Sequence, residues 1–170
     1  ESLKTADDTL REEYFGLWRA SFGDNPKCCV GWYDWLNFNG PHGNNKSYVI
    51  RDSQTNKMIC AYNLLPMIIN YGKKDYLAAL CHNVMTHPEY GKRGLFTSIG
   101  RGALSDDKKN GTKITLGIPN ENAIRGHLKI GWQELPSLAF LDKTKFRKNN
   151  IDFDYRIMKE FDESFDKKIN

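Results

Sequence analysis

Apolar side chains recur at three- and four-residue spacing from Leu10 through Tyr14, Leu17 and Trp18 to Phe22. That period predicts a helix over 8–22 with one buried face. Asp7, Asp8 or Thr9 would cap its start and Gly23 would end it. Residues 31–38 are rich in aromatics and predict one or two further helical turns, and 40–45 is a Gly/Pro/Asn loop. The pattern then changes. Segments 47–51, 58–70 and 76–86 read as strands, with polar turns at 52–57 and 71–75, which predicts an antiparallel meander. Within it, the run from Leu64 to Ile69 reads as buried strand.

Helical spacing returns over 95–109, where Leu95, Ile99, Ala103 and Leu104 share a face, and Asn110-Gly111 closes the helix. Segment 112–118 alternates as a strand at Ile114, Leu116 and Ile118 until Pro119 breaks it. A helix is predicted over 120–130, ended by Gly131, and a last strand over 135–141. The order predicts an α/β (α+β) fold: a mixed sheet, with an antiparallel meander followed by a parallel strand-helix-strand unit, and helices on both faces. Residues 1–142 form the expected domain. Residues 143–170 are a polar extension or linker in which Phe146, Ile151, Phe153, Tyr155, Ile157, Met158 and Phe161 can anchor a helix.

Composition narrows the function classes. The 170 residues carry a net charge of +4, with 39% hydrophobic and 12% aromatic side chains, which argues for a packed domain and against disorder. No apolar run approaches the roughly 18 residues that span a bilayer, so no membrane role is expected. The basic cluster Lys143, Lys145, Arg147 and Lys148 is interrupted by Asp142, Asp152 and Asp154, which reads as a solvated face rather than a nucleic-acid stripe. Cys28, Cys29, Cys60 and Cys81 show no CxxC spacing and the histidines no ligand spacing, so no metal is proposed. Free thiols and no leader-like segment suggest a cytoplasmic protein. The chain opens on Glu1 rather than Met and reads as a processed or excised piece.

The segment from Val84 to Phe96 carries the most chemistry. A strand ends, a loop with Gly91, Lys92, Arg93 and Gly94 follows, and a helix begins. The free N–H groups and dipole of a helix start form an anion site suited to a pyrophosphate. Gly94 lets the backbone approach the ligand, and Lys92 and Arg93 add charge. The loop has neither P-loop nor GxGxxG spacing.

Together with the segment Asn120–Trp132, this loop resembles two motifs of the GNAT superfamily of coenzyme A-dependent N-acyltransferases. His87-Pro88-Glu89-Tyr90-x-x-x-Gly94-Leu95-Phe96 is similar to the pyrophosphate motif, and Asn120-x-x-Ala123-x-x-x-His127-x-x-x-Gly131-Trp132 to the later one. The resemblance spans about residues 8 to 141. The wording Ile118-Pro119-Asn120-Glu121-Asn122 and the early Trp32-Tyr33-Asp34-Trp35 are similar to a bacterial group associated with surface polysaccharide and amino-sugar synthesis. Members of that group often carry a second GNAT-like half.

The resemblance implies acetyl-coenzyme A as co-substrate, no metal, and a primary amine of a small molecule as acceptor. Val84, Met85 and Thr86 match strand positions whose free backbone groups bind the pantetheine arm. Lys92, Arg93, Gly94, Leu95 and Phe96 match the pyrophosphate amides, with Gly91 and Thr97 flanking them. Asn120 matches an asparagine near the thioester. The usual loop reads Q/R-x-x-G-x-G/A. Here its first position is Gly91, its last is Phe96, and a common second-position glycine is Lys92. His127 stands where a tyrosine often protonates the leaving thiolate.

No strand carboxylate offers a base. Cys81 and Asn83 are expected on one strand face and His82, the candidate base, on the other. Cys81 as an acyl carrier and Glu121 as a base are weaker alternatives. Trp32, Trp35 and Asn83 are candidate acceptor contacts, though Trp18, Trp32, Tyr33, Trp35 and Phe38 read first as core. His87 reads as structural and His42 as exposed. The competing function is a GNAT-like domain without turnover, a ligand-binding module or half of a larger protein. A homodimer or a second GNAT-like half is left open.

Overall fold

The computed structural model describes residues 8–24 and 29–135. Its elements are α1 (Asp8–Phe22), α2 (Val30–Phe38), β1 (Lys46–Arg51), β2 (Met58–Tyr71), β3 (Lys74–Thr86), a 3₁₀ turn (Pro88–Tyr90), α3 (Leu95–Lys109), β4 (Ile114–Gly117) and α4 (Glu121–Lys129). α1 and α3 coincide with the predicted helices. α1 ends as expected, with Gly23 in the left-handed region at φ 74° and its N–H donating to Arg19 O at 2.9 Å.

The four strands lie in the order β1-β2-β3-β4. The first three are antiparallel, and β4 is parallel to β3, reached through α3. This is the predicted meander followed by a parallel crossover. Each face of the sheet has its own core. Val49, Ala61, Met58 and Met85 pack with Tyr14, Phe15, Leu17 and Trp18 of α1 and Tyr33 of α2. Cys60, Tyr62, Leu64, Ala79 and Cys81 pack with Ile99 and Ala103 of α3. Strand alternation sorts them: Ala61 pairs with Val49 on one face, Tyr62 with Tyr48 on the other.

Three expectations need correction. The run from Leu64 to Ile69 is strand, but it is fully buried only at Leu64, and Ile68 is exposed. β1 stops pairing at Leu64, so the rest of the β2–β3 hairpin has lost that neighbour. The turn at 71–75 is tighter than predicted. Gly72 and Lys73 both take positive φ (59° and 63°), and a two-residue turn of that kind matches the twist of the strands it joins. The strand expected over 112–118 is only Ile114–Gly117. The strand expected over 135–141, except for Leu135, and the extension 143–170 lie outside the described residues, as do Asp7 and Cys28.

Candidate active site

The sheet opens where the candidate residues of β3 lie. β3 and β4 pair only from Ala78↔Ile114 to Cys81↔Gly117. β3 continues to Thr86 against β2, so among the described residues its other edge has no strand partner from His82 onward. That edge includes Val84, Met85 and Thr86. Met85 and Val84 turn their side chains into opposite cores, which leaves the backbone as the part available to a ligand. The carbonyl of Thr86 accepts Ser21 Oγ at 3.4 Å, and its hydroxyl lies 3.3 Å from Cys60 Sγ. Asn120 stands just past the end of β4 and caps α4, its Oδ1 accepting the Ala123 N–H at 3.0 Å.

Strict alternation fails at Asn83. Its φ is 43°, and the β2–β3 register shifts between Ala61↔Met85 and Asn63↔His82. This is a β-bulge, which bends the strand and re-aims side chains. As a result Cys81 and Val84, three residues apart, share a core, while Met85 joins the opposite one. The expected pairing of Cys81 and Asn83 on one face assumed an unbroken pleat.

The loop after β3 has the geometry of an anion cradle. Gly94 is the N-cap of α3 at φ 75°, and it brings no side-chain cap. Ser98 is the first residue of the helix whose N–H finds a backbone acceptor, Gly94 O at 3.0 Å. The N–H groups before it are free of backbone partners among the described residues. Lys92, in the common glycine position, itself adopts left-handed φ at 61°. A lysine pays strain there that a glycine does not. The loop is tied down from outside. Tyr90 Oη donates to Asp52 Oδ2 at 3.1 Å, and the Arg93 guanidinium lies 4.9 Å over the Tyr90 ring. Hydrogen bonds from Thr55 first of all hold the Asp52 carboxyl below its ordinary range, so it stays charged as an acceptor.

Phe96 replaces the small residue usual at the end of the loop, and α4 makes room for it. A Cβ on Gly126 would meet the Phe96 ring at 2.5 Å, so only a glycine fits without displacement. The same ring packs on His127 at 5.0 Å between centroids. Trp132 lies 4.6 Å and Tyr62 6.0 Å from the imidazole. His127 is thus caged by aromatics and only 5% exposed. Its Nδ1 is 3.5 Å from Tyr62 Oη. Burial lowers its pKa, which favours the neutral ring.

His82 has the opposite surroundings. Its Nε2 is 2.9 Å from Asn45 Oδ1, inside a network of Asn37, Asn45, Ser47 and Asn63. Burial pushes its pKa down to about 4, so the ring is uncharged at neutral pH. Its Nδ1 and the Nδ2 of Asn83 are both buried without a protein partner. Burial pushes the Cys81 thiol up to about 12, which disfavours the thiolate that a nucleophile needs. Glu121 is exposed in the first turn of α4. His42 is exposed, and His87 serves the backbone, its N–H donating to Ile59 O at 2.8 Å. Trp32 packs on Trp18 at 5.2 Å, whereas Trp35 is 52% exposed and is not core.

Sequence reasoning missed the asparagine network and Tyr62. Alternation on β2 already placed Tyr62 and Asn63 on opposite faces. Nothing local linked Asn37, Asn45 and Asn63.

An acetyltransferase (GNAT) domain model matches residues 2–135. The sequence has no significant match among curated proteins. Solved structures share the fold at low identity. The chain is 15% identical to AAC(6')-Iy in complex with the bisubstrate analogue CoA-S-monomethyl-acetylneamine, over 84% of this chain and 95% of that one, with a TM-score of 0.63. It is 10% identical to the glucosamine-6-phosphate N-acetyltransferase of Arabidopsis thaliana, over 84% and 96%, with a TM-score of 0.61. It is 18% identical to a probable N-acyltransferase of Enterococcus faecalis, with a TM-score of 0.61, over 77% of this chain but 31% of that longer one.

Proposed function

Because the chain belongs to the GNAT family and is a GNAT-type N-acetyltransferase domain, we propose that it transfers the acetyl group of acetyl-coenzyme A to a primary amine of a small molecule, an amino sugar being the first class to test. The observation that carries this is a coincidence of place. The sheet opens beyond Cys81 and Gly117, and β3 runs on from that opening through one short loop to the uncapped, left-handed start of α3. An open strand edge suits the amides of a pantetheine arm, and a bare helix start suits its pyrophosphate. The residues present fit the co-substrate.

Lys92 to Thr97 would hold the pyrophosphate through backbone N–H groups, with Gly91 leading in and the Lys92 and Arg93 charges adding attraction. Val84, Met85 and Thr86 would bind the pantetheine by backbone, and Asn120 would stand near the thioester. Acetyl-coenzyme A supplies an activated acyl carbon. On attack a C–N bond forms, the C–S bond breaks, and its electron pair leaves on sulfur. His82 accepts the amine's proton, which passes on to solvent. His127 faces the sulfur as an N–H donor. A neutral imidazole gives a hydrogen bond readily, and a proton only when recharged from solvent. A backbone N–H of the open edge polarises the carbonyl. Trp32, Trp35 and Asn83 contact the acceptor.

We further propose a cytoplasmic setting, with 1–142 as the transferase domain and 143–170 as a polar extension or linker. The longer Enterococcus protein, of which the chain covers 31%, carries this fold as one part of a larger chain. It also keeps alive a reading in which this domain binds ligand without turnover. Release of free thiol from acetyl-coenzyme A, measured against a panel of amines that includes amino sugars and aminoglycosides, separates the two. Amine-dependent release that His82→Gln reduces at least 100-fold supports the transferase. Tight binding with no release by any amine supports the silent module.

A further inference from the structure

The asparagine network determines which nitrogen of His82 carries its proton. Asn37 Nδ2 donates to the Tyr33 carbonyl at 2.9 Å, and a carbonyl can only accept. The Oδ1 of Asn37 is therefore the atom it turns to the network. Asn63 is anchored the same way: its Nδ2 donates to the Asn83 carbonyl at 2.9 Å, so its Oδ1 faces inward and accepts Ser47 Oγ at 2.6 Å. Asn45 lies between these two oxygens, 2.9 Å from Asn37 Oδ1 and 3.3 Å from Asn63 Oδ1. Two acceptors require a donor, so this side of Asn45 is Nδ2. Its Oδ1 then points at His82 Nε2, 2.9 Å away.

That oxygen accepts, so His82 Nε2 bears the hydrogen. A neutral imidazole has one N–H, which leaves Nδ1 with a bare lone pair. Nδ1 is sealed from solvent and has no protein partner, at the first residue past the end of β4 pairing. The next residue, Asn83, sits on the bulge with an equally unpartnered Nδ2. An acceptor and a donor left orphaned on consecutive residues are each costly unless something binds them. Two backbone carbonyls thus reach through three amides to set one lone pair where the sheet opens.

We propose that Asn45 is a positioning residue that locks His82 in its Nε2–H tautomer and so presents the Nδ1 lone pair as proton acceptor for the amine. Nδ1 is buried in the protein without substrate, so the proton arrives through one water that enters beside it when the acceptor binds. The amine nitrogen gives its proton to the water as the C–N bond forms, and the water gives another to Nδ1. The imidazolium keeps its Nε2–H bond to Asn45, which eases the positive charge. This inference rests on the transferase reading.

The test is long-range ¹H–¹⁵N spectroscopy of histidine-labelled protein without substrate, followed by steady-state kinetics of wild type and Asn45→Leu. The expected wild-type spectrum shows His82 with a protonated Nε2 and a bare Nδ1. Asn45→Leu should give a mixture of tautomers and a kcat at least tenfold lower, with the KM for acetyl-coenzyme A unchanged. A wild-type Nδ1–H tautomer overturns the proposal, and that spectrum decides even if the variant does not fold. A changed tautomer with unchanged kcat overturns it too. Absence of wild-type turnover sinks the transferase reading instead, and is seen before any variant is made.

Discussion

His82 and His127 lie on opposite faces of one sheet, and their surroundings differ as the faces do. His82 belongs to the face covered by α1 and α2, where Asn45, Asn63 and Ser47 build a hydrogen-bonded layer against the strand. His127 belongs to the face covered by α3 and α4, where Tyr62, Phe96 and Trp132 enclose it. Burial lowers both pKa values. Yet one ring has a defined tautomer and a free lone pair, and the other has aromatic walls and one long contact. Burial alone does not make a histidine a base. The partners of its second nitrogen do.

The largest way to break this comparison is to acidify the protein. Unfolded, His82 takes a proton near 6.5; folded, only near 4. Between those values the unfolded chain holds more protons, so stability falls as pH drops through the window. The span amounts to about 3 kcal/mol. His82→Gln should flatten that slope by about one proton in urea titrations at a series of pH values. His127→Phe removes a smaller contribution of the same sign. An unchanged slope in His82→Gln would mean that the imidazole is not sealed.

The dry face is sharpened next. Gly126→Ala drives a Cβ to 2.5 Å from Phe96, whose ring must swing away from His127. Overpacking costs about 1–3 kcal/mol, partly offset by about 1 kcal/mol of helix propensity. A drop in Tm with weaker acetyl-coenzyme A affinity is expected, since Phe96 lies in the first turn of α3. The smallest effect belongs to Lys92→Gly. Relief of the left-handed φ and loss of a charge oppose each other, so stability should change by less than about 1 kcal/mol. Acetyl-coenzyme A affinity should fall only a few-fold, because backbone N–H groups do most of the holding.

Much of this was legible in the chain. The helices 8–22 and 95–109, the meander, the parallel crossover and the glycine loop follow from local period and punctuation, and the structure has them. What was hidden is non-local. The bulge at Asn83 appears only when β3 is laid against β2. The exposure of Ile68 depends on where β1 stops pairing, not on its own apolarity. Asn37, Asn45 and Asn63 come from α2, a loop and β2, and no periodicity announces that three amides will meet. The role of Gly126 was equally silent until Phe96 lay against it.

The central claim is that the open edge of β3 and the bare start of α3 form an acetyl-coenzyme A site. Calorimetric titration of the full chain with acetyl-coenzyme A, beside Gly94→Trp, tests it most directly. The account predicts micromolar binding, about −8 kcal/mol, weakened at least 100-fold in the variant. Wild-type binding that survives Gly94→Trp unchanged, or no wild-type binding at all, would contradict it.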